Sequence, residues 1–343
     1  MNELNLQELF GVEVPDFAEI DERIDEFTRR LENDPEQVFV KALGPRERAR
    51  RSIPAATMVA EFMMRDCVAA GRVDDDGVYL VFLHVLYILV IDDHVDVELS
   101  PTETSATELS AYMDAMQQAC RTATQCPDDE IARYIWTLTN RLRAYPAFSA
   151  FADLYFQCLA NMLEGMVQEF RLRGDPTLNL DNYMESARMS TGSNLGLTAA
   201  LIILGDTGLA AQRDRIDVVY DIVASIVRYA NDIRTYEREL SEGNITSLQL
   251  AAKKFGIPTD RFRFNLHDVI RIVRALMLTD VYDLRDCLEY VDSEDGLFNT
   301  VLVHAVLGVV SLYEKADFHT LGIRGDVTLH GEGAAGQLDA PPH

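Results

Sequence analysis

The chain has 343 residues, 48% of them apolar and 8% aromatic, and a formal net charge of −25. That charge argues against nucleic acid or an anionic membrane surface as partner, since both need basic patches. The five scattered cysteines lack CxxC spacing, which disfavours a disulfide framework or a thiolate zinc site and fits a reduced, cytoplasmic setting.

Leu, Ala, Glu, Arg and Met abound while β-branched alternation is scarce, so the predicted fold class is all-α. The acidic N-terminus lacks the basic and apolar regions of a signal peptide. Residues 19–32 read as a charged amphipathic helix within an N-terminal cap segment, residues 1–44, punctuated by Asn33-Asp-Pro35 and Gly44-Pro45. Residues 46–70 form the next predicted helix, with Ile53, Met58, Val59, Phe62 and Met63 facing inward. The helix at 78–98 is apolar nearly all round, as in an element buried on most sides. Its apolar run, 78–91, falls short of the ~20 residues that a transmembrane helix needs, so no membrane span is expected.

Two amphipathic helices follow at 106–122 and 128–143, then a long one from Pro146 to about Arg173, stopped by Gly174-Asp-Pro176. The helical pattern beginning at Asn182 is interrupted by Gly192 and Gly196 and resumes through Ile202. A glycine inside a helix costs ~1 kcal/mol against alanine, so two so close together signal a purposeful break. Further helices are predicted at 216–241, 246–255, 264–289 and 297–318. Residues 319–343 are Gly-, Ala- and Pro-rich and read as a disordered tail or lid. No linker divides residues 1–318, which are expected to fold as one bundle of ten to twelve helices around a central cavity.

Two stretches carry chemistry. In Asn231-Asp-Ile-Arg-Thr-Tyr-Glu-Arg-Glu239, the residues Asn231, Thr235 and Glu239 recur at i, i+4 and i+8, which stacks three oxygen donors on one helical stripe. In Val90-Ile-Asp-Asp-His-Val-Asp96, Asp92 and Asp96 share a face, with Asp93 beside them. Hard cations such as Mg²⁺ take oxygen ligands and leave positions for a phosphate-bearing substrate. The acidic clusters at 74–76 and 128–130 adjoin Gly or Pro and read as solvated turns. The aspartates at 92–96 instead end an apolar helix, where unpaired carboxylates cost several kcal/mol unless compensated. The bland reading of the second stretch is an exposed face with salt bridges among Asp232, Glu237 and Arg238.

Together the two stretches resemble the metal-binding motifs of bacterial class I terpene synthases, Asp-Asp-x-x-Asp and Asn-Asp-x-x-Ser/Thr-x-x-x-Glu, over about residues 45–318. The resemblance implies that Asp92 is the principal ligand of the first motif, with Asp93 and Asp96 as a second ligand or hydrogen-bonding partners. Asn231, Thr235 and Glu239 would hold another Mg²⁺, three ions in all fixing the diphosphate of a prenyl diphosphate substrate. Arg238 stands where the family often has a basic residue on that diphosphate. Arg188 resembles the arginine that senses it, with Thr191 and Gly192 as linker and effector at the helix break. A homodimer is compatible with the resemblance. Where the family commonly ends in an Arg-Tyr pair this chain has Leu312-Tyr313, so Tyr313 is expected to keep part of that role, with Lys315 or Arg324 as candidates for the missing charge.

Helix geometry places Val85, Ile88 and Leu89 below the aspartates, and Val227, Ala224 and Tyr220 below Asn231, as walls of an aliphatic cavity. Met162 and Met166 read first as core and second as wall. Few aromatics and a roomy wall lean toward a C20 substrate, geranylgeranyl or copalyl-type diphosphate, with farnesyl diphosphate as the alternative. A chain-elongating prenyltransferase would carry a second Asp-Asp-x-x-Asp, and a non-catalytic helical scaffold would leave both oxygen-donor stripes unexplained.

Overall fold

The computed structural model describes residues 6–12, 20–35, 37–44, 46–99, 104–173, 175, 177–258 and 262–315. No strand occurs among them. Four short helices come first: α1 (Leu6–Phe10), α2 (Asp21–Glu32), α3 (Val38–Leu43) and α4 (Glu47–Arg51). Next are α5 (Ile53–Ala69) and α6 (Asp75–Asp93), which runs directly into a π-helical turn, His94–Leu99. The middle of the chain forms α7 (Ala106–Thr122), α8 (Glu130–Leu142), α9 (Phe148–Leu172), α10 (Leu180–Ser190) and α11 (Ser193–Leu204). A 3-10 segment, Thr207–Gln212, precedes α12 (Arg213–Glu242), α13 (Ser247–Lys254), α14 (Phe262–Leu288) and α15 (Leu297–Lys315). The expected tail at 319–343, Arg324 included, lies outside the described residues.

Helix starts follow capping chemistry. Asp74, Asp129 and Asn179 each accept a backbone N–H from the first turn of α6, α8 and α10, and Ser105 with Glu108 forms a capping box on α7. Three departures from the sequence reading have local causes. The helix expected over 46–70 is two, because Pro54 stands at the start of α5 and its ring and missing N–H forbid a continuous run from α4. Gly192 breaks the chain with φ +66°, whereas Gly196 lies inside α11 without interrupting it. The end of the 78–98 helix widens into a π turn, where the Arg46 Nε–Glu98 Oε1 ion pair at 2.7 Å and a His94 Nδ1–Glu98 Oε2 contact at 2.9 Å pin the last residues.

The buried apolar residues form one cluster that runs from Leu6 to Leu312. α6 packs on α5, α8 and α11, and α15 packs on α5, α11 and α12. Residues 75–99 and α15 are long and apolar enough to cross a membrane, but their apolar windows are 78% and 72% buried inside the bundle, as befits central helices. α15 approaches α5 closely at Gly308, where a Cβ would stand 2.8 Å from Phe62 Cδ1. α12 carries α14 and α13 on its outer side, and α9 supports α10 and α11. Between these central helices the bundle is hollow.

Candidate active site

The hollow has a polar and an apolar compartment, joined through Ile88, Leu89, Thr191, Val227 and Tyr313, which line both. Asp92 enters the polar compartment from the end of α6 and Asp96 from the π-helical turn that follows it, and Asn231, Arg238 and Glu239 enter it from α12. The two stripes read from the sequence therefore face one cavity. Asp92 is open to that cavity yet deep within the protein. Burial pushes its carboxyl well above the ordinary carboxylate range, and Asp96 and Glu239 push it further the same way.

Three arginines share this compartment. Arg173, just past the end of α9, pairs with Asp96 at 2.5 Å, and Arg238 pairs with Glu239 at 3.1 Å. Arg228, one turn before Asn231, contacts Glu169 Oε1 at 3.1 Å and Asp232 Oδ1 at 2.8 Å and donates to the Tyr183 hydroxyl. Burial works against its charged guanidinium, but the carboxylates of Asp232 and Glu169 outweigh it and raise the pKa. Asp232 itself is fully buried and accepts the Ser247 N–H at 2.7 Å and the Tyr183 hydroxyl at 3.0 Å. It ties α12 to α10 and α13, so the exposed-face reading fails for that residue.

Asn231 Nδ2 donates to the Tyr313 hydroxyl at 2.7 Å, which fixes the amide and brings the end of α15 onto the motif. Asn244 Nδ2 donates to Glu239 Oε2 at 2.7 Å. The candidate cation donors that line the compartment are carboxylate and amide oxygens, with no thiolate or imidazole in the lining among the described residues, which suits a hard divalent ion. They stand on opposite walls, and no group of three His, Cys, Asp or Glu among the described residues closes into a metal cage by itself. Such a half-built cage fits ions whose remaining ligands are phosphate oxygens.

Several expected site residues stand elsewhere. Asp93 is buried away from the cavity and accepts the Ala49 N–H of α4 at 3.4 Å. Thr235 is buried behind Asn231 and donates back to its carbonyl at 3.0 Å. Arg188 does not line the cavity. Its Nε donates to the Met184 carbonyl at 3.0 Å, and its charge acts on Asp221 and Asp280, on the α12 and α14 side of α10. Lys315 is exposed at the end of α15 and likewise does not line it. The positive charge comes instead from Arg173 and Arg228, which carry no local motif. The only sequence hint for Arg228 is its i, i+4 relation to Asp232.

In the apolar compartment, Val85, Ile88, Leu89 and Val227 are walls as expected, and Val59, Met63, Ala305 and Val309 close the far side. Tyr220 and Ala224 are not walls. α11 and α15 cover that part of α12, so the Tyr220 hydroxyl meets Thr198 Oγ1 at 3.3 Å and its ring lies 6.4 Å from that of Phe298. Val223 takes their place. Met166 lines the polar compartment, whereas Met162 packs against Gly192, where a Cβ would stand 2.8 Å from its Sδ. Gly192 lies behind the wall at the helix break, between Thr191 and Ser193, both of which line the cavity.

Comparison with known proteins agrees with this geometry. Residues 84–271 match the model of terpene synthase family 2, C-terminal metal binding. No curated protein sequence gives a significant match. Among solved structures, linalool/nerolidol synthase from Streptomyces clavuligerus in complex with 2-fluorogeranyl diphosphate is 12% identical, with 88% of this chain and 94% of that one covered at a TM-score of 0.60. Hedycaryol synthase in complex with HEPES is 16% identical over 84% of this chain and 90% of that one, also at 0.60. The SVS_A2 protein from ancestral sequence reconstruction is 17% identical over 88% and 85%, at 0.61. These likenesses are of fold, and the family match spans more than half of the chain, including both oxygen-donor stretches. The chain belongs to the terpene synthase family 2.

Proposed function

We propose that the protein is a class I terpene synthase that ionises a prenyl diphosphate with the help of Mg²⁺ and cyclises the resulting allylic cation. The observation that carries this reading is the convergence of Asp92 and Asp96 with Asn231 and Glu239 across one cavity that also holds Arg173, Arg228 and Arg238. Asp92, Asp96, Asn231 and Glu239 are the ligands that line the cavity; Thr235 would reach an ion only by turning its hydroxyl away from the Asn231 carbonyl. Bound Mg²⁺, three ions by resemblance, would neutralise the leaving diphosphate. The arginines orient that group, and the Asn231–Tyr313 hydrogen bond holds the amide in register. Ile88, Leu89 and Val227 exclude water from the reacting carbon and fold the chain of the substrate.

The small side chains of the apolar compartment, Gly196, Ala305, Val59 and Val223, leave length for a C20 substrate, geranylgeranyl or copalyl-type diphosphate. A shorter chain is the second reading, favoured by the related fold that binds 2-fluorogeranyl diphosphate. Incubation of the purified protein with Mg²⁺ and geranyl, farnesyl, geranylgeranyl or copalyl diphosphate, followed by gas chromatography–mass spectrometry, tests both. One of the four should yield a terpene that disappears without Mg²⁺ and in Asp92→Asn. No terpene from any of them sinks the reading.

A further inference from the structure

Asp96 does not sit on regular α-helix. It is the third residue of the π-helical turn His94–Leu99, a wide turn that helices adopt rarely and often beside functional sites. Two contacts hold this turn from outside the cavity, and both come from the short segment 46–49. Just before the turn, Asp93 accepts the Ala49 N–H at 3.4 Å. Near its end, Glu98 receives the guanidinium of Arg46, whose Nη2 donates to Oε2 at 2.9 Å while Nε stands 2.7 Å from Oε1. His94 Nδ1 closes on the same Oε2 at 2.9 Å. Arg46 is only 8% exposed, and its Nη1 donates to the Ala42 carbonyl, so the guanidinium is itself held by α3. Asp96, between the two contacts, lines the polar compartment and pairs there with Arg173. Arg46 and Glu98 line neither compartment. An ion pair with a buried partner adds little stability over apolar packing, so its place beside a ligand-bearing turn is better explained by geometry than by stability.

We propose that Arg46 and Glu98 are positioning residues for Asp96, holding the π turn in the shape that presents its carboxylate to a cation shared with the diphosphate. The inference rests on the terpene synthase reading of the same cavity. With the pair intact, the turn is ordered before any ligand arrives. Without it the buried core still folds the chain, but binding must also order the turn, and that cost weakens the hold of Asp96 on its ion.

The experiment reads the thermal protection of the full-length protein by Mg²⁺ at a fixed concentration of inorganic pyrophosphate. The midpoint without ligand reports stability, and the Mg²⁺ concentration needed for a set rise in midpoint reports the site. Two substitutions remove charges of opposite sign. By charge alone, Glu98→Gln would weaken cation binding and Arg46→Met would strengthen it. Positioning requires both to raise the Mg²⁺ concentration needed, by about tenfold, the cost of re-ordering one residue of backbone. Arg46→Lys keeps the charge but lacks the planar fork that matches a carboxylate, so it should raise that concentration too. Arg141→Met supplies the control. It breaks a pair with buried Asp34, and neither residue lines the cavity, so it should lower the unliganded midpoint and leave the Mg²⁺ dependence unmoved. Opposite shifts in Glu98→Gln and Arg46→Met, or no shift in Glu98→Gln and Arg46→Lys, overturn the positioning role and leave the terpene synthase reading standing. A shift in Arg141→Met equal to theirs also overturns it. A wild type that Mg²⁺ with pyrophosphate does not protect overturns the inference, and absence of any terpene from the four prenyl diphosphates overturns the reading beneath it as well.

Discussion

Gly192→Ala tests whether the helix break is built by close packing as well as by backbone shape. Gly192 has φ +66°, and an added Cβ would stand 2.8 Å from Ile88 Cγ1, Ile88 Cγ2 and Met162 Sδ. The left-handed backbone alone costs an alanine about 1 kcal/mol. The methionine can swing away, but both isoleucine atoms branch from Cβ in a helix that holds χ1 nearly fixed. Relief must then move α6 or α11, at an overpacking cost of about 1–3 kcal/mol. The expected total is about 2–4 kcal/mol. Gly205→Ala supplies the control, because φ is +82° there and nothing lies within 4 Å of the added atom. It should cost about 1 kcal/mol. Urea denaturation of both variants measures the difference, and Ile88→Ala with Gly192→Ala should return most of the packing cost but none of the backbone cost. Equal losses for the two single glycine variants would refute the close packing.

Other consequences are equally open to measurement. Arg228→Met strands Asp232, which is fully buried, and Glu169, so urea denaturation should register a loss of about 3–5 kcal/mol, part of it regained with Asp232→Asn. Gly165→Ala should destabilise by about 3 kcal/mol, because the added atom meets the Ser190 backbone nitrogen at 2.6 Å and only a shift of α9 against α10 relieves it. Asp92 is raised above its ordinary value of 3.8, so the folded protein holds this proton more tightly than the unfolded chain. Stability of the free protein contributed by this group therefore falls as pH rises from that ordinary value through the raised one. Mg²⁺ competes with the same proton, so its thermal protection, read with pyrophosphate present, should grow over that window; protection that weakens as pH rises would contradict the assignment.

The sequence makes the α12 stripe legible because helical period and oxygen chemistry are both local properties. Asn231 and Glu239 line the cavity as their spacing requires, and so do Asp92 and Asp96. Thr235 shares the stripe but spends its hydroxyl on its own helix, a choice that spacing cannot reveal. Gly192 and Gly196 look alike in sequence. Only the first has a neighbour, Ile88, pressed against it, and only the first takes a left-handed backbone. Tyr220 and Ala224 lie on the correct side of α12 but under α11 and α15, so the error arises from how the bundle closes over the helix and not from helical phase. Arg173 and Arg228 are not legible at all as partners of the site. Each acquires its role from a carboxylate on another helix, Asp96 and Glu169 respectively.

A chain of net charge −25 that binds a diphosphate must concentrate positive charge locally without an open basic patch. On the proposed function, the arrangement of the arginines answers that need. Arg173 and Arg238 are paired with Asp96 and Glu239, the same carboxylates that are expected to bind cations. Partly exposed pairs of this kind are worth only about 0–1 kcal/mol, so a divalent ion can displace the guanidinium at little cost. Diphosphate arriving alone meets arginines already neutralised and carboxylates that repel it. Mg²⁺ arriving alone meets donors on opposite walls with no ligand to bridge them. Together each frees the partner of the other, and the two bind with positive coupling. Arg228 stays apart from this exchange. Held by Asp232 behind the wall, by Glu169 in the lining and by the Tyr183 hydroxyl, its guanidinium is fixed in place at the edge of the cavity before any ligand enters.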